Sequence, residues 1–366
     1  MRTISQDLKY ALRTLAANRG FTTAAVVCLM LGIGATTAIF SVVNAVVLQP
    51  LPYGDSDRLV RIYTEFPKFP NGGLRKFAVS MPEYLDLRRD LRSLESIDTW
   101  LTTGVNLIGG GSEPLRVTAS FVNGDLLKDL RVSPILGRVH TAQDDRDGAP
   151  LTAVISYGLW QRAFGGDRDV AGKSVSINGR GASVIGVMPR EFRFPAADTD
   201  PTDIWIPLQI NRANPGGRGG HNYAVLGRLK PGVSVEQFRA DLASYVNSQG
   251  PPAPNTHLFN SEFHTLVTQG LQEDVVGAVR PALLALFGVV CFVLLIAAVN
   301  VANLLLARAE ARQREIAVRK AIGAGSYRLL RQFMTEGVLL TTLSGILGIA
   351  FAWVCLKVLV TMTAAA

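Results

Sequence analysis

The residues that could do chemistry are few, and each pattern stops short of a working site. Asp167-Arg168-Asp169-Val170-Ala171-Gly172-Lys173-Ser174 comes close to a phosphate-binding loop. That loop opens on glycine so that backbone amides can wrap the phosphates, followed by a helix. Here Asp167 stands first, where its charge repels a phosphate, and a strand-like Ser-Val-Ser-Ile follows. The stretch reads as a turn, and no other segment offers an ATP site. Ser156 sits in Val154-Ile155-Ser156-Tyr157-Gly158, but a nucleophile elbow needs glycine where Val154 stands. Ser156 reads instead as the cap of a helix over Tyr157–Phe164. Asp145, Asp147 and Gly148 hint at a calcium loop, yet its first position is Gln143 and its twelfth is Val154, so the bidentate ligand is missing. His140, His221, His257 and His264 show no metal-ligand spacing and receive no role. The expectation is a chain with no catalytic residues, no cofactor and no metal.

What could position a function is a stretch running from Ala282 to Gly337. Between Arg280 and Arg308 lie 27 residues without a charge, and about 20 apolar residues suffice to cross a bilayer as helix. A basic helical segment, Arg308 to Lys320, follows and stops at Gly323 and Gly325, glycines that supply the backbone a helix end needs. Ser326 caps the next helix, whose apolar face continues through Leu329, Leu330, Phe333, Met334 and Val338. The arrangement is a lever: a helix leaves the membrane, turns at the hinge Gly323 and Gly325, and returns. Glu310 with Arg314, and Glu315 with Arg319, form i,i+4 pairs that support an exposed helix. Asn300 and Asn303 place polar side chains in the second span, where they suit hydrogen bonding within the chain or a seam with a second copy.

Charge sets the topology. Residues 1–20 carry a net +3, residues 308–331 carry seven basic side chains against two acidic, and residues 50–280 balance 25 with 25. All of the +8 excess therefore flanks hydrophobic spans, a positive-inside signature with no nucleic-acid patch. Residues 1–20 read as a cytoplasmic amphipathic helix with Ile4, Leu8, Leu12 and Leu15 on one face and a Thr3–Gln6 capping box, broken by Gly20. Residues 21–48 form a first transmembrane helix, too long for a cleaved leader, and Gly32, Gly34, Ala35 and Ala38 permit close helix packing. Residues 282–307 form the second span, 308–336 the cytoplasmic segment and 337–360 the third span. All three cysteines, Cys28, Cys291 and Cys355, fall in spans, so the middle region folds without disulfides.

Residues 50–280 read as a mixed α/β domain. Strands are expected at Leu59–Thr64, Ser96–Leu107, Tyr223–Leu229 and His264–Thr268, and helices at Met81–Leu94 and Val233–Ser248. Two β-α-β units separated by a long insertion suggest a split ferredoxin-like layer. The insertion, about 112–210, is richer in short strands, with Asn178-Gly179 as a hairpin turn.

Two blocks resemble a known family. Arg314-Glu315-Ile316-Ala317-Val318-Arg319-Lys320-Ala321-Ile322-Gly323-Ala324, with Gln332-Phe333-Met334-Thr335-Glu336, resembles the coupling segment of MacB/FtsX-type ABC transporter permeases. Val132–Arg138, Val154–Asp167 and Val184–Pro195 resemble that family's periplasmic core domain. The resemblance implies a multi-pass protein of the bacterial inner membrane, a permease of MacB-like efflux type driven by a partner ABC ATPase. Arg314, Glu315, Arg319, Lys320 and Gly323 are then the ATPase-coupling candidates. It also implies a homodimer or second permease half, a periplasmic adaptor and membrane lipid as partners. An FtsX-like signal relay, activating an external protein without transport, is the alternative. The family's unit has a fourth span that is absent here, so the sequence reads as incomplete at its C-terminus.

Overall fold

The structure, a computed structural model, describes residues 4–365 apart from 71, 110–112, 197–200, 251–256, 312, 314–316 and 319–325. The chain divides into two compact units, residues Pro50–Gly277 and the two flanking stretches Met1–Gln49 and Ala278–Ala366.

The central unit is built on an 11-stranded sheet. Its first layer holds β1 (Leu59–Phe66), β3 (Leu94–Ile108), β10 (Ala224–Leu229) and β11 (Thr265–Gly270), with α3 (Met81–Asp90) between β1 and β3 and α6 (Val235–Ser248) between β10 and β11. The order β11-β1-β10-β3, antiparallel at each step, is the ferredoxin-like arrangement expected from two β-α-β units. Alternating residues of these strands and one face of each helix meet in a core around Ile62, Tyr84, Leu87, Val225, Phe238 and Leu242. α6 starts where its sequence says it must: the Ser234 hydroxyl accepts from the Gln237 N–H at 3.1 Å, and the Gln237 side chain returns the bond at 2.8 Å. α3 differs from expectation. It ends at Asp90, and Leu94 opens β3, its side chain buried with the core.

The insertion extends the same sheet through the far half of β3, which bends across both lobes over 15 residues. Here β4 (Leu115–Val122) pairs with β3, and β9 (Ile204–Pro207), β6 (Thr152–Ile155), β8 (Arg180–Val187) and the short β5 (Leu136–Gly137) continue outward. β7 (Ser174–Ile177) turns into β8 through Asn178 and Gly179, both at positive φ, as the hairpin signal requires. α5 (Tyr157–Phe164) covers this lobe, and Ser156 caps it by accepting from the Leu159 N–H at 3.1 Å. Trp100, Phe194 and Trp205 join the lobes in a third core. β2 (Leu74–Phe77), α4 (Leu126–Asp129) and α7 (Leu271–Val276) were not expected; each is six residues or shorter, below the length at which periodicity is visible.

The helical unit comprises α1 (Ile4–Ala17), α2 (Arg19–Val43, with a π turn through Leu48), α8 (Arg280–Ala311) and α9 (Ser326–Ala365). α1 ends at Ala17, and Gly20 lies inside α2 rather than breaking the first helix. The Thr3 half of its expected capping box lies outside the described residues. Arg19–Leu48, Arg280–Glu310 and Phe333–Leu359 are each long and apolar enough to cross a membrane. Large apolar side chains such as Phe292, Ile296, Val338 and Trp353 are exposed on these helices, the surface of a bundle whose solvent is lipid.

Candidate functional site: a helical junction and a histidine cluster

The small residues of α2 set how closely its neighbours approach. A methyl group at Gly34 would stand 2.7 Å from the Phe351 ring and 2.9 Å from the Gly348 carbonyl oxygen. At Gly32 it would stand 3.1 Å from Leu294. The α2 backbone therefore lies directly against α9 and α8, which a larger side chain would prevent. Two weak contacts join α2 to α8 along this seam. Thr36 Oγ1 lies 3.3 Å from the Val290 carbonyl, and Cys28 Sγ lies 3.9 Å from that of Ala297.

At the end of α8 the seam closes on one charged residue. The Arg308 guanidinium donates to the Thr14 carbonyl of α1 at 3.2 Å, lies 4.8 Å from the centre of the Phe21 ring of α2, and approaches Glu336 of α9 at 3.9 Å. Glu336 is 4% exposed. A buried carboxylate needs a partnered cation, so Arg308 links all four helices at the point where the chain leaves α8. Beyond it, α8 continues to Ala311 and α9 begins at Ser326. At 1.5 Å per residue these helices of 32 and 40 residues run about 48 and about 60 Å, against a hydrocarbon core of about 30 Å. Both therefore project beyond the membrane.

The coupling candidates Arg314, Glu315, Arg319, Lys320 and Gly323 and the hinge residue Gly325 lie outside the described residues. Asn300 and Asn303 are described, and both are exposed on α8, away from the seam at Ala297 and Val301. In the sequence Arg308 marks the end of the uncharged span and Glu336 closes the family-like block Gln332–Glu336; their pairing is between helices and leaves no local pattern.

The rejected motifs are filled by ordinary structure. Asp167 accepts from the Lys173 ammonium at 2.5 Å and from the Asp169 N–H at 2.9 Å, closing a short turn where a phosphate would have to sit. Asp145 accepts from the Gln209 N–H at 2.7 Å, and Asp144 is held by Arg138 in two bonds of 2.8 Å.

The histidines are a different matter. Their spacing in the chain shows nothing, yet three of the four converge on α3. The Ser80 N–H donates to Glu83 Oε2 at 2.9 Å in the capping box that starts that helix, fixing a carboxylate that is fully buried. A two-stranded bridge, Val79 with Tyr223, brings the loop before β10 alongside, and His221 Nε2 lies 3.2 Å from Glu83 Oε2. A turn held by the Asn260 side chain presents His264, whose Nε2 lies 3.5 Å from Glu83 Oε1. His257 stands at the rim, its ring centre 5.8 Å from His221 and 6.4 Å from His264. Burial pushes the Glu83 carboxyl up, but His221 and the Ser80 N–H pull harder and leave it below its ordinary value. Burial also holds the His264 imidazole down at about 4, so it is neutral at pH 7.

Two family models match the chain in sequence order. The MacB-like periplasmic core domain covers residues 22–245, more than half of it, and the FtsX-like permease C-terminal domain covers residues 287–365. The chain belongs to the MacB-like periplasmic core domain family. It is thereby a membrane protein of the inner membrane with residues 50–280 as its extracytoplasmic segment, and its second part is of the FtsX-like permease type. Among curated relatives it is similar to the pyoverdine export ATP-binding/permease protein PvdT of Pseudomonas syringae pv. tomato, 26% identical over 60% of this chain and 32% of the relative. The macrolide export ATP-binding/permease protein MacB of Rhodospirillum rubrum is 26% identical over 58% of this chain and 31% of the relative. The chain thus spans about a third of the length of the curated relatives it matches. Among solved structures, the periplasmic region of MacB from Actinobacillus actinomycetemcomitans covers 62% of this chain and 94% of that one, at 12% identity and a TM-score of 0.43.

Proposed function

We propose that this chain is the permease part of an ABC-type exporter and that it catalyses no reaction itself. An ABC ATPase presses on residues 308–336, and the motion passes through the membrane helices to the extracytoplasmic unit. The observation that carries this reading is the Arg308 junction. A segment pushed from the cytoplasm moves α8 and α9 together only if they are joined where they leave the membrane, and Arg308 and Glu336 join them there. Relatives named for pyoverdine and macrolide export, as combined ATP-binding and permease proteins, support both the ATPase and the outward direction. They favour export over a signal relay that moves no substrate. The exposed Asn300 and Asn303 suit hydrogen bonds to a second copy of the chain, and the extracytoplasmic unit suits a periplasmic adaptor.

Arg314, Arg319 and Lys320 supply the donors an ATPase groove would accept, Glu315 the intervening helix support, and Gly323 and Gly325 the turn. Charge reversal of Arg319→Glu with Lys320→Glu is expected to leave membrane yield unchanged while reducing recovery of the cognate ATPase in pull-down about tenfold or more. Full recovery with both charges reversed would make these residues ordinary positive-inside anchors.

A further inference from the structure

The geometry points to a transition-metal site: we propose that His221, His257 and His264, with Glu83 as fourth ligand, bind one Zn2+ ion in the extracytoplasmic unit. The proposal is independent of the export reading. Three observations converge on it. First, one nitrogen from each of the three imidazoles can be chosen so that all lie within 4.8 Å of one another. Tetrahedral zinc at about 2.0–2.1 Å from each nitrogen needs them about 3.3 Å apart, a closure of the order of 1.5 Å that side-chain rotation supplies. Second, polar atoms aimed into this space make no hydrogen bond among the described residues. Both ring nitrogens of the buried His264 and Glu83 Oε1 have no hydrogen bond. Each such group is costly if left unmet, and Glu83 Oε1 and the unprotonated nitrogen of His264 are lone-pair donors that one cation satisfies together. Third, the rings are already oriented from behind. Phe66 stacks on His264 with ring centres 4.4 Å apart and meets His221 edge-on at 5.3 Å. His221 Nδ1 lies 3.3 Å from the Gly219 carbonyl, the outer contact that turns Nε2 toward Glu83 and the space between the rings.

The donor set selects the metal. Three imidazoles and a carboxylate with no thiolate suit zinc and its late first-row neighbours rather than calcium or magnesium, which take oxygen. His264 and Glu83 are buried while His257 is exposed, so the site has an entry side. Its ligands come from α3, from the loop before β10 and from the stretch before β11. An ion there ties the two β-α-β units at positions 83, 221, 257 and 264, and a ligand bound only by the folded state stabilises it by mass action.

The test uses the full chain in detergent, free of any histidine tag, stripped with a chelator and then titrated with Zn2+ alone. The expected result is uptake of one ion per chain with a rise in melting temperature, reversed by the chelator. His257→Ala removes an exposed ligand, so its metal-free melting should match the parent while zinc affinity falls by more than about 100-fold, beyond the loss typical of an outer-shell partner. Glu83→Gln keeps the α3 cap and removes the carboxylate; it should weaken binding with the cap intact. Absence of one-to-one uptake by the parent, or equal affinity in His257→Ala, would overturn the proposal.

Discussion

At the scale of single residues, the central unit depends on polar side chains that burial has placed at odds with water. His140 is fully buried, and its imidazole is pushed down to about 4 by that burial, with the Asp144 carboxylate pulling the other way. The folded value lies below the ordinary 6.5. The contribution is therefore complete above pH 6.5 and is lost as pH falls toward 4, when the unfolded chain takes up the proton first. The difference amounts to about 3 kcal/mol. Denaturant unfolding of residues 50–277 at pH 7 and pH 4 should show the parent losing about that much more than His140→Gln, while equal losses would place the acid sensitivity elsewhere. Little of this was legible from sequence. His140 stands in Val139-His140-Thr141, where no period marks it as core. Glu83, His221, His257 and His264 are brought together only by strand order. By contrast Ser156 is readable as a cap, because a cap is made with residues three positions away.

At the scale of elements, local patterns carried most of the fold. β7 occupies the strand-like Ser174–Ile177 stretch that the sequence marks, since a strand bounded by turn residues carries its own limits. α3 ends four residues before the helical spacing of Leu91 and Leu94 predicts. The sheet claimed Leu94 instead. The glycines of the first span do mark close-packing positions, but the sequence does not show what they pack against. The crossing of Gly34 on Gly348 belongs to two helices more than 300 residues apart. Gly34→Val should force α2 from α9, lowering the stability of the helical unit by about 1–3 kcal/mol. Thermal unfolding in detergent checks it, with Gly20→Val as control, since a methyl group at Gly20 meets no atom within 4 Å. Equal stability of the two variants would mean that the seam accommodates the added bulk.

At the scale of the whole molecule, the separation of charge announces the plan. A neutral central stretch between basic flanks becomes a self-contained α/β unit with its own cores, and by the positive-inside tendency we propose the basic flanks as the cytoplasmic ends of the membrane helices. The Arg308 junction was hidden because a buried ion pair between helices has no periodicity. It nonetheless gives the account its mechanical step. The most direct test is hydrogen exchange on the complete permease with its ATPase in nanodiscs, with and without a non-hydrolysable nucleotide. If residues 308–336 relay motion through the membrane helices, nucleotide will change exchange within residues 50–277, which the ATPase never touches. Arg308→Ala will keep the ATPase bound and abolish that change. Unaltered exchange in residues 50–277 of the parent, with the ATPase bound and residues 308–336 protected, would contradict it.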